Sequence, residues 1–444
     1  MATTQAEMRA LTRALPSVAE PYDNQCFLLR LPNEIIAKIF FYALPYFDVK
    51  RIQTYPSPYD APLLLTNLCH RLTHIVWTTS SLWSCLAIQV GRPGHDVPPT
   101  VLQRWLTRAG ARPLTLSIVF WSHRQEMFEI IMSTAPRWKT VLISAQPRNL
   151  GDFRPWTSGG FPLLESLFVY ARLSNFNDIP LCSAAPEFAP RFKKLLVFGA
   201  LVFPVPLPWG NLRELELRNC DITALRRLSP HTSSLESLTL ANTVCIEITR
   251  FPITLPNLRR LIVIGNFYDF IALMEDVETP ALEFFSCSLH HSSSRQFFNV
   301  FNRLIQKSGC LITSFILQFP TAELDDIIPF LTSTSSIQSL ELGCAKVPSA
   351  PLLRGLTWDP SGGAASMLLP RLSSLVLEAH ETDAPFDSVL LDMLQSRSGV
   401  HPSAEPAHLG SFTLRTADYV IDPGSLRQVE ELCARSGIDF ELQS

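Results

Sequence analysis

The sequence predicts an α/β fold in which an N-terminal helical segment precedes an irregular repeat solenoid built on a parallel sheet. Three observations predict it. Beyond residue 161 a short strand signature recurs, and its most regular copies lie 23, 23 and 24 residues apart, from Leu212 through Leu235 and Leu258 to Leu282. Between residues 31 and 83 apolar side chains instead recur at helical spacing, in two separate stretches. The chain is 47% hydrophobic and only 17% charged, against about 25% charged in ordinary soluble domains, so apolar material is ample for a long core. Its 444 residues would otherwise suggest roughly three domains of about 150 residues each, a division that a repeat array makes unnecessary.

The first helix is announced by Leu31 and Pro32, because proline has no N–H to leave unsatisfied in a first turn. Ile35, Ile36, Ile39, Phe40 and Ala43 then follow with helical period on one face, which predicts a helix reaching to about Leu44. A second helix is predicted after Pro62, with Leu64, Leu65, Leu68, Leu72 and Ile75 or Val76 on one side, until residues 78–81 break the pattern ahead of Trp83. Two such helices cannot bury two broad apolar faces by themselves, so they require more of this chain or a partner.

These residues resemble an F-box: the Leu31-Pro32 start, the acidic Glu34, the Ile39-Phe40 pair and the later Leu68-Cys69-x-Arg71 element. In that family the last element is commonly Val-Cys-x-x-Trp, where this chain has Leu72, and the stretch 45–62 is longer than the usual interhelical loop. The strings WLTRAGARPLTLSI (105–118), APRWKTVLI (135–143) and FPLLESL (161–167) resemble F-box proteins of mushroom-forming (basidiomycete) fungi. The resemblance implies a flexible terminus over 1–26, an F-box over 27–90 and a repeat solenoid over 91–444. It further implies that Leu31, Pro32, Ile35, Ile36, Ile39, Phe40, Leu68, Leu72 and Trp83 bind the Skp adaptor of an SCF-type ubiquitin ligase, with its cullin, while the repeats hold a protein substrate. Such a chain catalyses nothing and needs no cofactor. The alternative is an interaction scaffold acting outside ubiquitin ligation, and a hydrolase with a dispersed site is a third class.

In the array, Leu212-x-x-Leu215-x-Leu217-x-x-Cys220 and Leu258-x-x-Leu261-x-Val263-x-x-Asn266 fit the leucine-rich-repeat template to its ninth position. Looser copies begin at Leu164, Phe192, Leu235, Leu282, Ile312, Ile337, Leu372 and Leu409, the later spacings stretching to 35 and 37 residues. Each unit sends two apolar side chains into a shared interior and is unstable alone, so the copies must stack. Strands over 113–120 and 138–144 start the stack, linked to helical stretches carrying Val101, Leu102, Trp105 and Leu106, then Phe128, Ile130 and Ile131. Leu426, Val429, Leu432 and Cys433 predict a closing amphipathic helix and residues 437–442 a last strand, while 358–366 and 396–407 read as surface loops.

Side chains alternate across a strand, so the positions between the buried ones face the concave surface. Glu214, Glu216 and Arg218 lie there, as do Ser237, Thr239, Arg260, Ile262, Ile264, Phe284 and Ser286. Ile262, Ile264 and Phe284 are apolar where water is expected, so either a partner or another segment of the chain covers them. Arg218, Arg260, Ile262 and Phe284 combine arginine with apolar and aromatic anchors, the mixture that carries most energy in protein interfaces, and are the candidate substrate-binding residues.

Other chemistry finds little support. A net charge of −3 and a pI near 6.4 give no basic footprint, so nucleic acid is not expected as a partner. No secretory core and no apolar run of ~18 residues is present, so no membrane contact is expected. The ten cysteines form no C-x-x-C pair and suit a reducing cytoplasm or nucleus. His70 and His74 lie four apart, but without a neighbouring Glu in H-E-x-x-H order no metal is expected.

Overall fold

The structure, a computed structural model, describes residues 27–44, 61–92, 97–122, 124–145, 160–171, 184–199, 207–221, 223–244, 252–290, 294–318, 324–343, 349–358, 367–379, 386–399, 408–416 and 421–443. The predicted flexible terminus 1–26, and the predicted loops for the parts 45–60, 359–366 and 400–407, lie outside the described residues. The chain divides into two compact units, one formed by Met1–Ile88 with Thr100–Arg112 and the other by Gln89–Pro99 with Pro113–Ser444.

In the first unit, α1 (Asn33–Tyr42) starts as predicted on Pro32, whose carbonyl accepts from the N–H groups of Ile35 and Ile36 at 3.1 Å. The single second helix that the sequence predicts is instead two elements: a 3-10 turn at Leu64–Asn67, then α2 (His70–Thr78). Cys69 breaks it by adopting an extended conformation (φ −159°, ψ 166°). The Thr73 hydroxyl fixes this corner by donating to the carbonyls of Thr66 at 2.7 Å and Cys69 at 2.8 Å. The break divides the predicted apolar stripe, leaving Leu68 exposed and Leu72 buried. A second 3-10 turn, Ser80–Trp83, leads into β1 (Cys85–Val90). The stretch with Trp105 forms α3 (Pro99–Arg108), and from Thr100 on it belongs to the helical unit.

The second unit carries β2 (Leu114–Phe120), α4 (Gln125–Met132), β3 (Trp138–Ala145), β4 (Ser166–Ala171), β5 (Lys194–Gly199), β6 (Glu214–Arg218), α5 (Thr223–Leu228) and β7 (Ser237–Ala241). There follow β8 (Ile253–Thr254), β9 (Arg260–Asn266), α6 (Phe267–Asp276), β10 (Val277–Glu278), β11 (Phe284–His290), α7 (Ser294–Ser308), β12 (Ser314–Gln318), α8 (Leu324–Ser333) and β13 (Ser339–Gly343). The series ends with α9 (Ser349–Leu356), β14 (Ser374–Ala379), α10 (Phe386–Arg397), β15 (Ser411–Thr416), α11 (Pro423–Ser436) and β16 (Asp439–Gln443). Fourteen of the strands make one sheet in chain order, and β8 and β10 pair separately. This is the predicted leucine-rich-repeat solenoid.

The register explains why the copies stack. Leu195, Leu215, Leu238, Leu261, Phe285, Phe315, Leu340, Leu375 and Phe412 stand opposite one another from strand to strand, so each unit's first inward side chain packs on its neighbour's. Every predicted repeat start from Leu164 to Leu409 is at most 1% exposed. Helices cover this face. Phe285 lies 4.2 Å from Phe301 of α7, centroid to centroid, and Phe315 lies 5.0 Å from Phe330 of α8. Each such side chain, once fully buried, contributes roughly 1.5–3 kcal/mol.

Along the entry to the strands runs a further row, in which the backbone N–H of each residue donates to the carbonyl of its counterpart one repeat earlier, from Glu165 onto Lys139 through to Asp439 onto Gly410. Its side chains are charged in the first part, with ion pairs Lys139–Glu165, Arg213–Glu236 and Arg259–Glu283, and uncharged at Thr313, Gln338, Ser373 and Gly410. Near the other end, the fully buried Arg397 donates to the carbonyls of Leu356, Leu368 and Leu369 at 2.8–3.2 Å. Burial lowers its pKa to about 10, which leaves it charged at neutral pH and bound by backbone carbonyls in the described residues.

Candidate functional site

Two surfaces collect the predicted site residues. On α1, Ile35, Ile39 and Tyr42 recur at i, i+4 and i+7 and therefore share a face. They are 45, 42 and 77% exposed, with Phe41 beside them at 44%. Ile36 and Phe40, on the adjoining face, are buried within their own chain. Of the residues predicted to bind an adaptor, Pro32, Ile35, Ile39 and Leu68 are thus on the surface and Leu31 is half-buried, while Ile36, Phe40, Leu72 and Trp83 are interior.

The interior residues hold the stripe in place. The Trp83 indole N–H donates to the Val76 carbonyl at 2.8 Å, and that of Trp105 donates to the Trp83 carbonyl at 3.0 Å. Trp77 stacks on Trp83 with centroids 4.9 Å apart. The Arg108 guanidinium lies 3.9 Å from the Trp77 ring centre and 4.9 Å from that of Trp83, where desolvation and then Arg104 lower its pKa. Arg71, from the Leu-Cys-x-Arg element, ties α2 to the start of α1: it donates to the Asn33 side-chain oxygen, to the Leu31 carbonyl at 2.9 Å and to the Leu29 carbonyl. No periodicity argument finds this clamp, because it joins residues about forty positions apart in sequence through one turn's carbonyls.

The second surface is the sheet face opposite the helices. β9 sets Arg260, Ile262 and Ile264 outward, and register places Phe284 and Ser286 of β11 beside the first two. The Arg260 guanidinium lies 3.7 Å from the Phe284 ring centre, so two predicted substrate-binding residues touch. Ile262 is half-buried and Ile264 is 38% exposed. Arg218 stands apart on β6, with β7 between, and is ion-paired with Glu216 of its own strand. On β4 and β5 a stacked pair, Tyr170 and Phe198 (5.5 Å), also faces outward. Strand parity would have found it, since both alternate with the buried Val169 and Val197.

Among the described residues no group of three or more His, Cys, Asp or Glu side chains could hold a metal ion, and no helix is long and apolar enough to cross a membrane. Burial pushes the Cys220 thiol up to about 12 and that of Cys433 to about 11, and raises Cys287 and Cys310 as well. These thiols stay protonated at neutral pH and are poor nucleophiles.

No family model matches the chain, and no curated protein does. Among solved structures, the TLR13–ssRNA13 complex is similar, at 14% identity and a TM-score of 0.31, over 82% of this chain and 61% of that one. The chain therefore spans less than two thirds of the length of that structure.

Proposed function

We propose that the chain is a non-catalytic adaptor of the F-box class, whose helical unit docks on the Skp adaptor of an SCF-type ubiquitin ligase and its cullin while the repeat array holds a protein substrate. The observation that carries this reading is the exposed stripe Ile35, Ile39 and Tyr42 on a helix whose adjoining face is locked into the core. A rigid helix presenting aliphatic and aromatic side chains to water suits insertion into a partner's groove. The array suits the second task, since a parallel sheet that keeps its register from β3 to β16 offers an extended face for a protein ligand. Proximity is then the whole contribution to ubiquitin transfer.

The double substitution Ile35→Asp with Ile39→Asp tests this. Both side chains are exposed, so the melting temperature should stay at its wild-type value, while co-purification of the full chain with Skp is lost. Wild-type retention of Skp by the folded double variant would refute the docking face. Failure of the wild-type chain to retain Skp would leave a repeat scaffold working outside ubiquitin ligation.

A further inference from the structure

We infer that the outward face of β9 and β11 is a docking site for an extended peptide segment that carries a carboxylate followed, two and four residues on, by aliphatic side chains. The inference rests on the reading of the array as a protein-binding module and names what it binds.

The first observation is an unspent cation. Of the basic side chains at outward positions of β5–β15, Lys194 is paired with Glu214, Arg218 with Glu216 and Arg415 with Glu341. Arg260 has no carboxylate within 4.0 Å among the described residues, and is held by the face of Phe284 instead. A guanidinium laid on an aromatic ring keeps its N–H edge free for a bidentate acceptor.

The second observation is spacing. Arg260, Ile262 and Ile264 follow one another outward along β9 at steps of ~6.6–6.8 Å, the same repeat at which an extended peptide presents alternate side chains. An acidic side chain set over Arg260 therefore brings the next two same-side residues over Ile262 and Ile264. The third is relief. The neighbours in register are small, Ser237, Thr239 and Ala241 on one side and Ser286 and Ser288 on the other, so the isoleucines stand above low flanks. The hydroxyls of Ser237, Thr239, Ser286 and Ser288 have no hydrogen-bond partner among the described residues and are half-buried, which leaves donors and acceptors for the peptide backbone.

A polyanion is the competing ligand, and charge argues against it. Its affinity grows with the number of cations engaged, whereas among the described residues this face offers a single unpaired one, and the outward positions further along, Glu341, Glu378 and Glu441, are acidic.

The test uses the full chain and fluorescein-labelled pooled peptides of the pattern Glu-x-Leu-x-Leu, with x an equimolar mixture of Ser, Ala and Thr, against a pool in which Gln replaces Glu. Anisotropy titrations are expected to show the Glu pool binding at least about tenfold tighter than the Gln pool, as one charge-assisted contact allows. Arg260→Gln should bring the Glu pool down to the level of the Gln pool without moving the melting temperature, and Ile264→Ser should weaken both pools alike. Equal binding of the two pools, discrimination that survives Arg260→Gln, or binding of a labelled oligouridine decamer in place of the Glu pool would each overturn the site. Skp co-purification is read separately and does not involve Arg260, so failure here with Skp retained removes only this peptide site.

Discussion

In β3, β4 and β5 the outward side chains Leu142, Phe168 and Leu196 are closed to solvent, at 6, 6 and 5% exposure, whereas in β9 the equivalent Ile262 is half-buried and the next outward residue, Ile264, is open. The inward pairs are alike in the two regions, Leu195 and Val197 in β5 against Leu261 and Val263 in β9, all buried. The apolar residue at an outward position therefore has two meanings. Strand alternation assigns the face, but it does not say whether anything covers that face. Within β5 the change already happens between Leu196 and Phe198, which is 37% exposed.

The comparison can be broken most forcefully by Leu196→Asp. An unpaired carboxylate forced into a closed site should cost about 3 kcal/mol or more, enough to lower the urea midpoint strongly; a change under about 0.5 kcal/mol, the usual size for a surface position, would mean that this face is open too. Next in size, Leu195→Ala and Leu261→Ala should each cost about 2–5 kcal/mol and should match one another, because the two leucines stand in one inward row. A large disparity between them would place the difference in the interior rather than on the outward face.

A smaller effect comes from beneath the outward Glu216–Arg218 pair. Cys220 there has a pKa raised by burial from about 9 to about 12. A group whose folded pKa is raised contributes stability that is complete below the unfolded value and lost as pH climbs through the folded one, so stability should fall from pH 9 towards 12. Cys220→Ala should flatten part of that decline in chemical denaturation at graded pH, and an unchanged slope would deny the buried thiol its share. The smallest effect is expected of Ile264→Asp, within about 0.5 kcal/mol, although it should abolish the aliphatic contact of the Glu-x-Leu-x-Leu pool.

Much of the fold was legible in the sequence because the inward positions answer to a local rule. Every repeat start from Leu164 to Leu409 is buried, both early strands appear, and the closing helix and strand lie at Pro423–Ser436 and Asp439–Gln443. The helical unit was legible only in outline. The break at Cys69 depends on a Thr73 hydroxyl reaching carbonyls seven and four residues back, and the membership of the Trp105 helix depends on an indole hydrogen bond across twenty-two residues. Of the candidate sites, the Arg260–Phe284 contact follows from strand register. The neutralisation of Arg218 by Glu216 does not, because an i, i+2 pair on one strand face competes with every neighbouring strand for the same charge.

The row of charges at the strand entries sets a parity on the array. Reading along it, Arg213, Glu236, Arg259 and Glu283 alternate in sign, with ion pairs at its first and last steps. Excising the single unit that carries Glu236 would bring Arg213 beside Arg259, like against like, whereas excising that unit together with the one carrying Arg259 would bring Arg213 beside Glu283 and restore attraction. Exposed pairs of this kind are each worth only about 0–1 kcal/mol, so the row biases the joint without holding it. A shortened array cut by an even number of units in this stretch is expected to melt higher than one cut by an odd number. From Thr313 to Gly410, where the row is uncharged, no such arithmetic constrains how many units can be gained or lost.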